Sequence, residues 1–328
     1  MQGLPIYDPT PFGIIDSLKL SKTDVDFKSG QKIFFTAQFT KVVNWKIEIT
    51  QNNPSNGTSC IISGRSSSIN ASNSVWDGTT TTLPLFTTGQ VTVKLSVTDQ
   101  TAVMTKSFNI TSTKTLGTLV GDFNRTGLDP LWIPRYNQSG TTFNLYQTYR
   151  YIGGNNSKLI SVNSPFNDNF LVIAGNVTWD WMIAYTEIPA SAVNTNYYSN
   201  LINVGNRVYF NAYVYSDTVK HNKNATLEFQ FHEDDNGDGR YTAGTEDNFK
   251  YDIKLNWVGW KKISIRYDSI PIVFVPTAGQ SKNFGGNNIP QPGNITSVEI
   301  MLLEDPTKGA AICGIDEIVL TNDNPFKP

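Results

Sequence analysis

Apolar and polar positions alternate along this chain with a period of two. In the stretch 43–49, Val43, Trp45, Ile47 and Ile49 share one face, and Asn44, Lys46 and Glu48 share the other. Val91, Val93, Leu95 and Val97 repeat the pattern. Such runs, set between turn-rich segments, predict half-buried strands. Residues 32–39, 42–49, 90–98 and 102–110 read as strands of a first sandwich, with Trp45 in its core. Further strands are predicted at 158–162, 170–174, 177–185, 207–215, 225–232, 248–256, 260–267, 297–303 and 311–320, with no helical pattern between them.

The expected fold class is therefore all-β. Residues 16–113 fit an immunoglobulin-like (Ig) or PKD-like β-sandwich, although no cysteine pair or tyrosine corner marks an antibody-type domain. Residues 114–328 fit a larger β-jelly-roll sandwich. The boundary is expected at 112–118. Residues 1–15, with Pro5, Pro9 and Pro11, read as a linker or tether.

Composition sharpens this division. The chain has 328 residues, and only 16% are charged, which suits strands better than charged surface helices. Thirteen of its 14 tyrosines follow residue 113, so recognition chemistry is expected in the second domain. The net charge of −2 gives no basic footprint, so no nucleic-acid partner is expected. Cys60 and Cys313 are too few and too far apart for a disulfide scaffold. His221 and His232 are the only histidines, which leaves little material for histidine-dependent triads.

The second faces of three predicted strands carry candidate chemistry. Tyr209, Asn211, Tyr213 and Tyr215 alternate with an apolar row, as do Glu228, Gln230 and His232. If the strands at 207–215, 225–232 and 249–256 are neighbours, these residues form one surface of rings, amides and carboxylates. Such a surface suits a sugar, whose C–H face stacks on a ring and whose hydroxyls need planar polar partners. The alternative is an ordinary solvated sheet face. Trp179 and Trp181, two residues apart, would leave one face of a strand, either as a second stacking platform or as core beside Val177 and Ile183.

The segment 233–241 (EDDNGDGRY) places Asp234, Asn236 and Asp238 at alternate positions, followed by Gly239 and the Arg240 carbonyl. This is the first half of an EF-hand-type calcium loop. Thr245 stands where the twelfth-position Glu belongs, with Glu246 and Asp247 directly after it. The loop is expected to hold a structural calcium between two strands through Asp234, Asn236, Asp238, Arg240, Glu246 and Asp247. The competing reading is an acidic turn without metal.

Three segments carry a family resemblance: Gly121-Asp122-Phe123-Asn124, the stretch 258–265 (VGWKKISI), and the stretch 314–320 (GIDEIVL). They resemble the galactose-binding-like jelly roll of carbohydrate-binding modules. With an Ig- or PKD-like module ahead of it, the chain is similar to the surface glycan-binding lipoproteins of Bacteroidetes polysaccharide-utilisation systems. The resemblance implies a non-catalytic protein that holds polysaccharide at the outer membrane, beside a transporter, on a lipidated N-terminal cysteine absent from this sequence. It also implies a structural calcium near Asp122 and Asp316, with Asn124 where an acid is common. A polysaccharide lyase, a glycoside hydrolase or a structural adhesin are the alternatives; no Glu-x-Asp-x-x-Glu strand motif is present to place a hydrolase pair.

Overall fold

A computed structural model describes residues 11–51, 58–101, 103–114, 117–124, 133–153, 158–177, 181–189, 197–219, 221–272, 286–305, 307 and 309–328, without side chains at 133 and 134. Among these the chain is strands and short 3-10 turns, with no α-helix. Two compact units part between residues 115 and 116, with Lys327 and Pro328 grouped with the first.

The first unit holds β1 (Ile14–Leu20), β2 (Asp24–Asp26), β3 (Ile33–Gln51), β4 (Ser59–Ile69), β5 (Val75–Trp76), β6 (Gly89–Val97) and β7 (Val103–Ser112). The strands expected at 32–39 and 42–49 are one long strand, β3, which pairs with β1 and β5 in its first part and with β4 and β6 further on. Trp45 is buried, as expected, and Trp76 packs edge-on against Phe27, Phe86 and Phe108.

The sequence pattern missed β4 for a physical reason. This strand is rich in Ser, and the Trp45 ring lies across Gly64, its cross-strand partner, where a Cβ would collide with the ring. Trp45 Nε1 donates to Ser66 Oγ at 2.9 Å. The partner supplies the apolar cover, so β4 needs no alternation of its own.

The second unit comprises β8 (Thr118–Gly121), β9 (Ile133–Asn137), β10 (Thr142–Tyr146), β11 (Thr148–Gly153), β12 (Lys158–Asn163), β13 (Phe170–Asn176), β14 (Met182–Pro189), β15 (Val208–Asp217), β16 (Thr226–Glu233), β17 (Asn248–Lys254), β18 (Val258–Arg266), β19 (Ile295–Leu303) and β20 (Ala310–Asn322). One sheet has the order β10-β13-β20-β15-β18, with β8 also on β20; the other has the order β17-β16-β19-β14-β9. From β13 onward the chain passes repeatedly between the two sheets, the jelly-roll habit expected from sequence. Phe210 and Val214 of the first sheet meet Leu227, Phe229, Phe231, Val298, Ile300 and Leu302 of the second in one buried core. The inner rows are thus the apolar rows read from sequence.

The antiparallel hairpin of β11 and β12 forms a separate two-stranded sheet. Its Tyr149, Tyr151, Ile160 and Val162 pack with Phe170, Val172, Tyr215 and Trp260 in a second, smaller core. The outer face of the first sheet is therefore covered in part by the chain itself.

The Trp45 and Gly64 contact yields a test of the first unit. Gly64→Val is expected to cost about 1–3 kcal/mol, the usual range for overpacking, read as a lowered melting transition in denaturant or heat.

Candidate functional site

The supposition that β15, β16 and β17 lie side by side does not hold. β15 belongs to the first sheet, between β20 and β18, whereas β16 and β17 pair in the second. Outer rows of two packed sheets face away from each other, so the tyrosine row and the Glu228, Gln230 and His232 row cannot form one surface.

The tyrosine row is largely packing. Tyr213 is 8% exposed and meets Phe166 edge-on, with ring centroids 4.9 Å apart. Burial pushes its hydroxyl up to about 12, with Glu317 and Asp316 adding to the shift. Tyr215 lies under the hairpin, its hydroxyl 3.0 Å from that of Tyr151, which donates to Asp217 Oδ2 at 2.8 Å. Asn211 is fully buried: its Nδ2 donates to the carbonyls of Tyr209 and Val319 and to Thr321 Oγ1, and its Oδ1 accepts from Ser264 Oγ and the Phe326 amide. Tyr209 alone of this set is half-exposed.

On the second sheet Glu228, Gln230 and His232 do share one face, but Glu228 and His232 are buried, at 4% and 5% exposed, and Gln230 is half-buried. Cross-strand register places Lys250 (β17), Gln230 (β16), Glu299 (β19) and Glu187 (β14) in one row. The next row runs Asp252, Glu228, Met301, Tyr185 and Tyr136. A third runs Asn248, His232 and Ser297. Side chains directly opposite on one face of an antiparallel sheet are neighbours, so these rows form one patch of carboxylates, amides and rings.

The hydrogen bonds within the patch are dense. Glu228 accepts from Gln230 Nε2 at 2.5 Å and from Lys250 Nζ at 3.1 Å, while Asn248 Nδ2 donates to Gln230 Oε1 at 2.5 Å. Arg135 of β9 donates from Nη2 to Glu187 Oε2 at 2.6 Å. His232 is buried with Nδ1 2.8 Å from Ser297 Oγ and Nε2 3.9 Å from Glu299 Oε2, and Tyr241 of the loop after β16 stacks on its ring at 4.0 Å. Burial lowers the His232 imidazole to about 4, leaving it neutral near pH 7. Burial, together with the charges of Glu187 and Glu228, pushes Glu299 up to about 7. Glu299 thus stands poised between donor and acceptor at neutral pH.

Sequence reasoning missed Glu187, Glu299, Tyr185, Arg135 and Tyr241. The signal for Tyr185 and Glu187 was their alternation with Thr186 and Ile188, which the emphasis on the two tryptophans hid. Trp181 is 56% exposed at the edge of β14, and its carbonyl accepts from the Glu304 amide. Trp179 lies outside the described residues. Trp260 packs edge-on against Phe170 and Tyr215.

The acidic loop divides its carboxylates between two groups. Carboxylate oxygens of Asp234, Asp238 and Glu246 lie within 4.8 Å of one another. Asp234 accepts the Gly237, Asp238 and Gly239 amides, and Asn236 Oδ1 accepts the Asp238 amide. Glu246, one residue late in the sequence, binds the Thr242 and Asn236 amides and closes the group. Arg240 follows Asp238, to which its amide donates at 3.1 Å. Asp247 does not join this group; it sits with Glu233 and Asp235. Near the start of the unit, Ser164 Oγ binds both Asp168 and Asp316, and Asn124 Nδ2 donates to Asp168.

No family model matches the chain, and no curated protein matches it. Among solved structures, it is similar to one described under the specificity of carbohydrate-binding modules from the β-sandwich superfamily, with 9% identity over 96% of this chain and 100% of that one and a TM-score of 0.29. It is similar to SGBP-B from a complex xyloglucan utilization locus in Bacteroides uniformis, with 12% identity over 95% of this chain and 73% of that one and a TM-score of 0.37. A third is the CBM22-1 and GH10 portion of xylanase 10B from Clostridium thermocellum, with 11% identity over 63% of this chain and 28% of that one and a TM-score of 0.29. With each of these TM-scores below 0.5, the similarities do not bear on what the site does.

Two outcomes follow. Tyr213→Ala is expected to cost about 3 kcal/mol of stability as a buried ring lost from a packed face, measured by chemical denaturation. Glu299 holds its proton more tightly folded than unfolded, so its contribution to stability falls as pH rises from its ordinary 4.5 through about 7. Glu299→Gln should flatten the melting-temperature profile across that window.

Proposed function

We propose that this chain binds a neutral polysaccharide, without cleaving it, on the outer face of the β17-β16-β19-β14-β9 sheet. The observation that carries this reading is the run of cross-strand rows joining Glu228, Gln230, Glu299, Glu187 and Tyr185 on one face. Tyr185, with exposed Trp181 at the edge, offers ring faces for the C–H side of a pyranose. The half-buried Glu187, Gln230 and Glu299 offer acceptors and donors for its hydroxyls, with buried Glu228 holding Gln230 and Lys250 in place behind them. Their mutual hydrogen bonds hold them before a ligand arrives, which limits the ordering cost of binding. Four carboxylates on the face favour uncharged sugars over uronates.

A structural calcium in the loop of Asp234, Asn236, Asp238, the Arg240 carbonyl and Glu246 belongs to the same reading. The fit rests on the all-oxygen donor set and on Glu246 closing the group that the sequence spacing left open. Because Tyr241 of this loop stacks on His232, an ordered loop also fixes one border of the face. A cell-surface, lipid-anchored setting at the outer membrane, with a transporter taking up the captured glycan, is the biological context we propose.

A hydrolase is the second reading, favoured by the adjacent Glu187 and Glu299 carboxylates, one paired with Arg135 and one raised toward neutrality. Glu187 and Glu299 are direct cross-strand partners pointing the same way. Glycoside cleavage needs the two carboxylates to flank the bond, so binding is the better reading.

Affinity-gel retardation across a panel of neutral and uronic polysaccharides tests the proposal. Retardation by a neutral glycan is expected, with Tyr185→Ala and Glu187→Gln each weakening it at least tenfold and Tyr209→Ala leaving it unchanged. Loss with Tyr209→Ala but not Tyr185→Ala would sink the assignment, and release of reducing ends would favour the hydrolase. EDTA is expected to lower the melting temperature and weaken retardation; no shift in either would favour a metal-free turn.

A further inference from the structure

The acids flanking the loop occur as two consecutive pairs, Asp234-Asp235 and Glu246-Asp247, preceded by Glu233. Each pair sends its members to different groups. Asp234 and Glu246 join Asp238; Asp235 and Asp247 join Glu233, with one oxygen of each of these three within 4.8 Å of the others. The backbone ties the second group together: the Glu233 amide donates to the Asp247 carbonyl at 3.0 Å, and the Asp247 amide to Asp235 Oδ2 at 2.8 Å.

This second group is far more buried than the loop. Glu233 is fully buried, and Asp247 is 1% exposed. Among the described residues no lysine, arginine or histidine forms an ion pair with any of the three. Glu233 accepts the Gln291 amide on both oxygens, and Asp235 Oδ1 accepts Asn287 Nδ2 at 2.8 Å. Asp247 is different: among the described residues neither carboxylate oxygen has a hydrogen-bond partner. Burial and the neighbouring Asp235 push its carboxyl upward, and the Asn288, Ile289 and Gly286 amides draw it only part of the way back, since none reaches it in ordinary hydrogen-bond geometry. Gly286 closes the group from above, where a Cβ would run into the Asp235 and Asp247 carboxylates.

A buried carboxylate with both oxygens unpaired is costly, and two further carboxylates beside it raise that cost. A hard divalent cation relieves both. We propose that Glu233, Asp235 and Asp247 form a second divalent-cation site, suited to calcium, back to back with the loop of Asp234, Asp238 and Glu246. The two sites share their backbone through the paired acids, so filling one orders ligands of the other. The inner site anchors the loop to the end of β16 and the start of β17, next to His232 and Asn248.

The test uses the full chain stripped of metal, calcium chloride as the probe, and calcium counted by elemental analysis after equilibrium dialysis alongside melting curves. Two calcium ions per wild-type chain are expected. Asp247→Asn should bind one fewer and lose part of the calcium-induced rise in melting temperature. In EDTA, the same variant should melt above the wild type, because an uncompensated buried charge is gone. Asp235→Asn, nearer the surface, should also bind one fewer and serves if Asp247→Asn does not fold. Asp238→Asn removes the loop ion and leaves the inner one, so a single wild-type ion lost in Asp247→Asn but kept in Asp238→Asn still supports the inner site. An unchanged calcium count in both Asp247→Asn and Asp235→Asn, or Asp247→Asn melting below wild type in EDTA, would overturn it and leave the backbone amides as sufficient partners.

Discussion

A two-sheet sandwich buries only its inner faces, and every alternate side chain must then face outward. In the second unit this constraint leaves two outer surfaces, and the chain treats them differently. The β11 and β12 hairpin lays tyrosines against the outer face of the first sheet, where Tyr215 and Val172 become core. On the second sheet the outward side chains hydrogen-bond to one another, and His232 stacks on Tyr241 of the adjoining loop. A hairpin of two six-residue strands thus covers part of the first sheet's outer surface, and the second sheet has no such cover among the described residues.

Electrostatics then shapes the remaining face. Glu187, Glu228 and Glu299 crowd together, and Arg135 and Lys250 relieve only two of them directly. Glu299 is left raised toward neutrality, beside an imidazole that burial keeps uncharged. The same tension, stronger and deeper, occurs at the far end of β16, where Glu233 is pushed up to about 8 by burial, with Asp235 and Asp247 adding to it. A sugar hydroxyl can answer the first tension by hydrogen bonding. A divalent cation would answer the second.

Much of this was legible in the alternating pattern. The inner rows Phe210 and Val214, and Leu227, Phe229 and Phe231, were read correctly because burial on one face imposes a strict period of two. The same pattern cannot say which strands are neighbours, so Tyr213 and Gln230 were placed together although their sheets face apart. It also missed β4, whose apolar cover comes from Trp45 across the sheet, and β11, whose tyrosines alternate with threonine and arginine like loop residues. In the acidic loop, spacing put forward Asp234, Asn236, Asp238, Arg240, Glu246 and Asp247 as one set, and the fold brings Asp234 and Asp238 together. Only the fold could show that Glu246 closes their group while Asp247 turns away.

Hydrogen–deuterium exchange with and without a neutral oligosaccharide that the chain retains tests the choice of face most directly. Binding on the second sheet requires protection in segments 182–189, 226–233 and 295–303, with 208–217 unchanged. Protection confined to 208–217 and the 148–163 hairpin would contradict it.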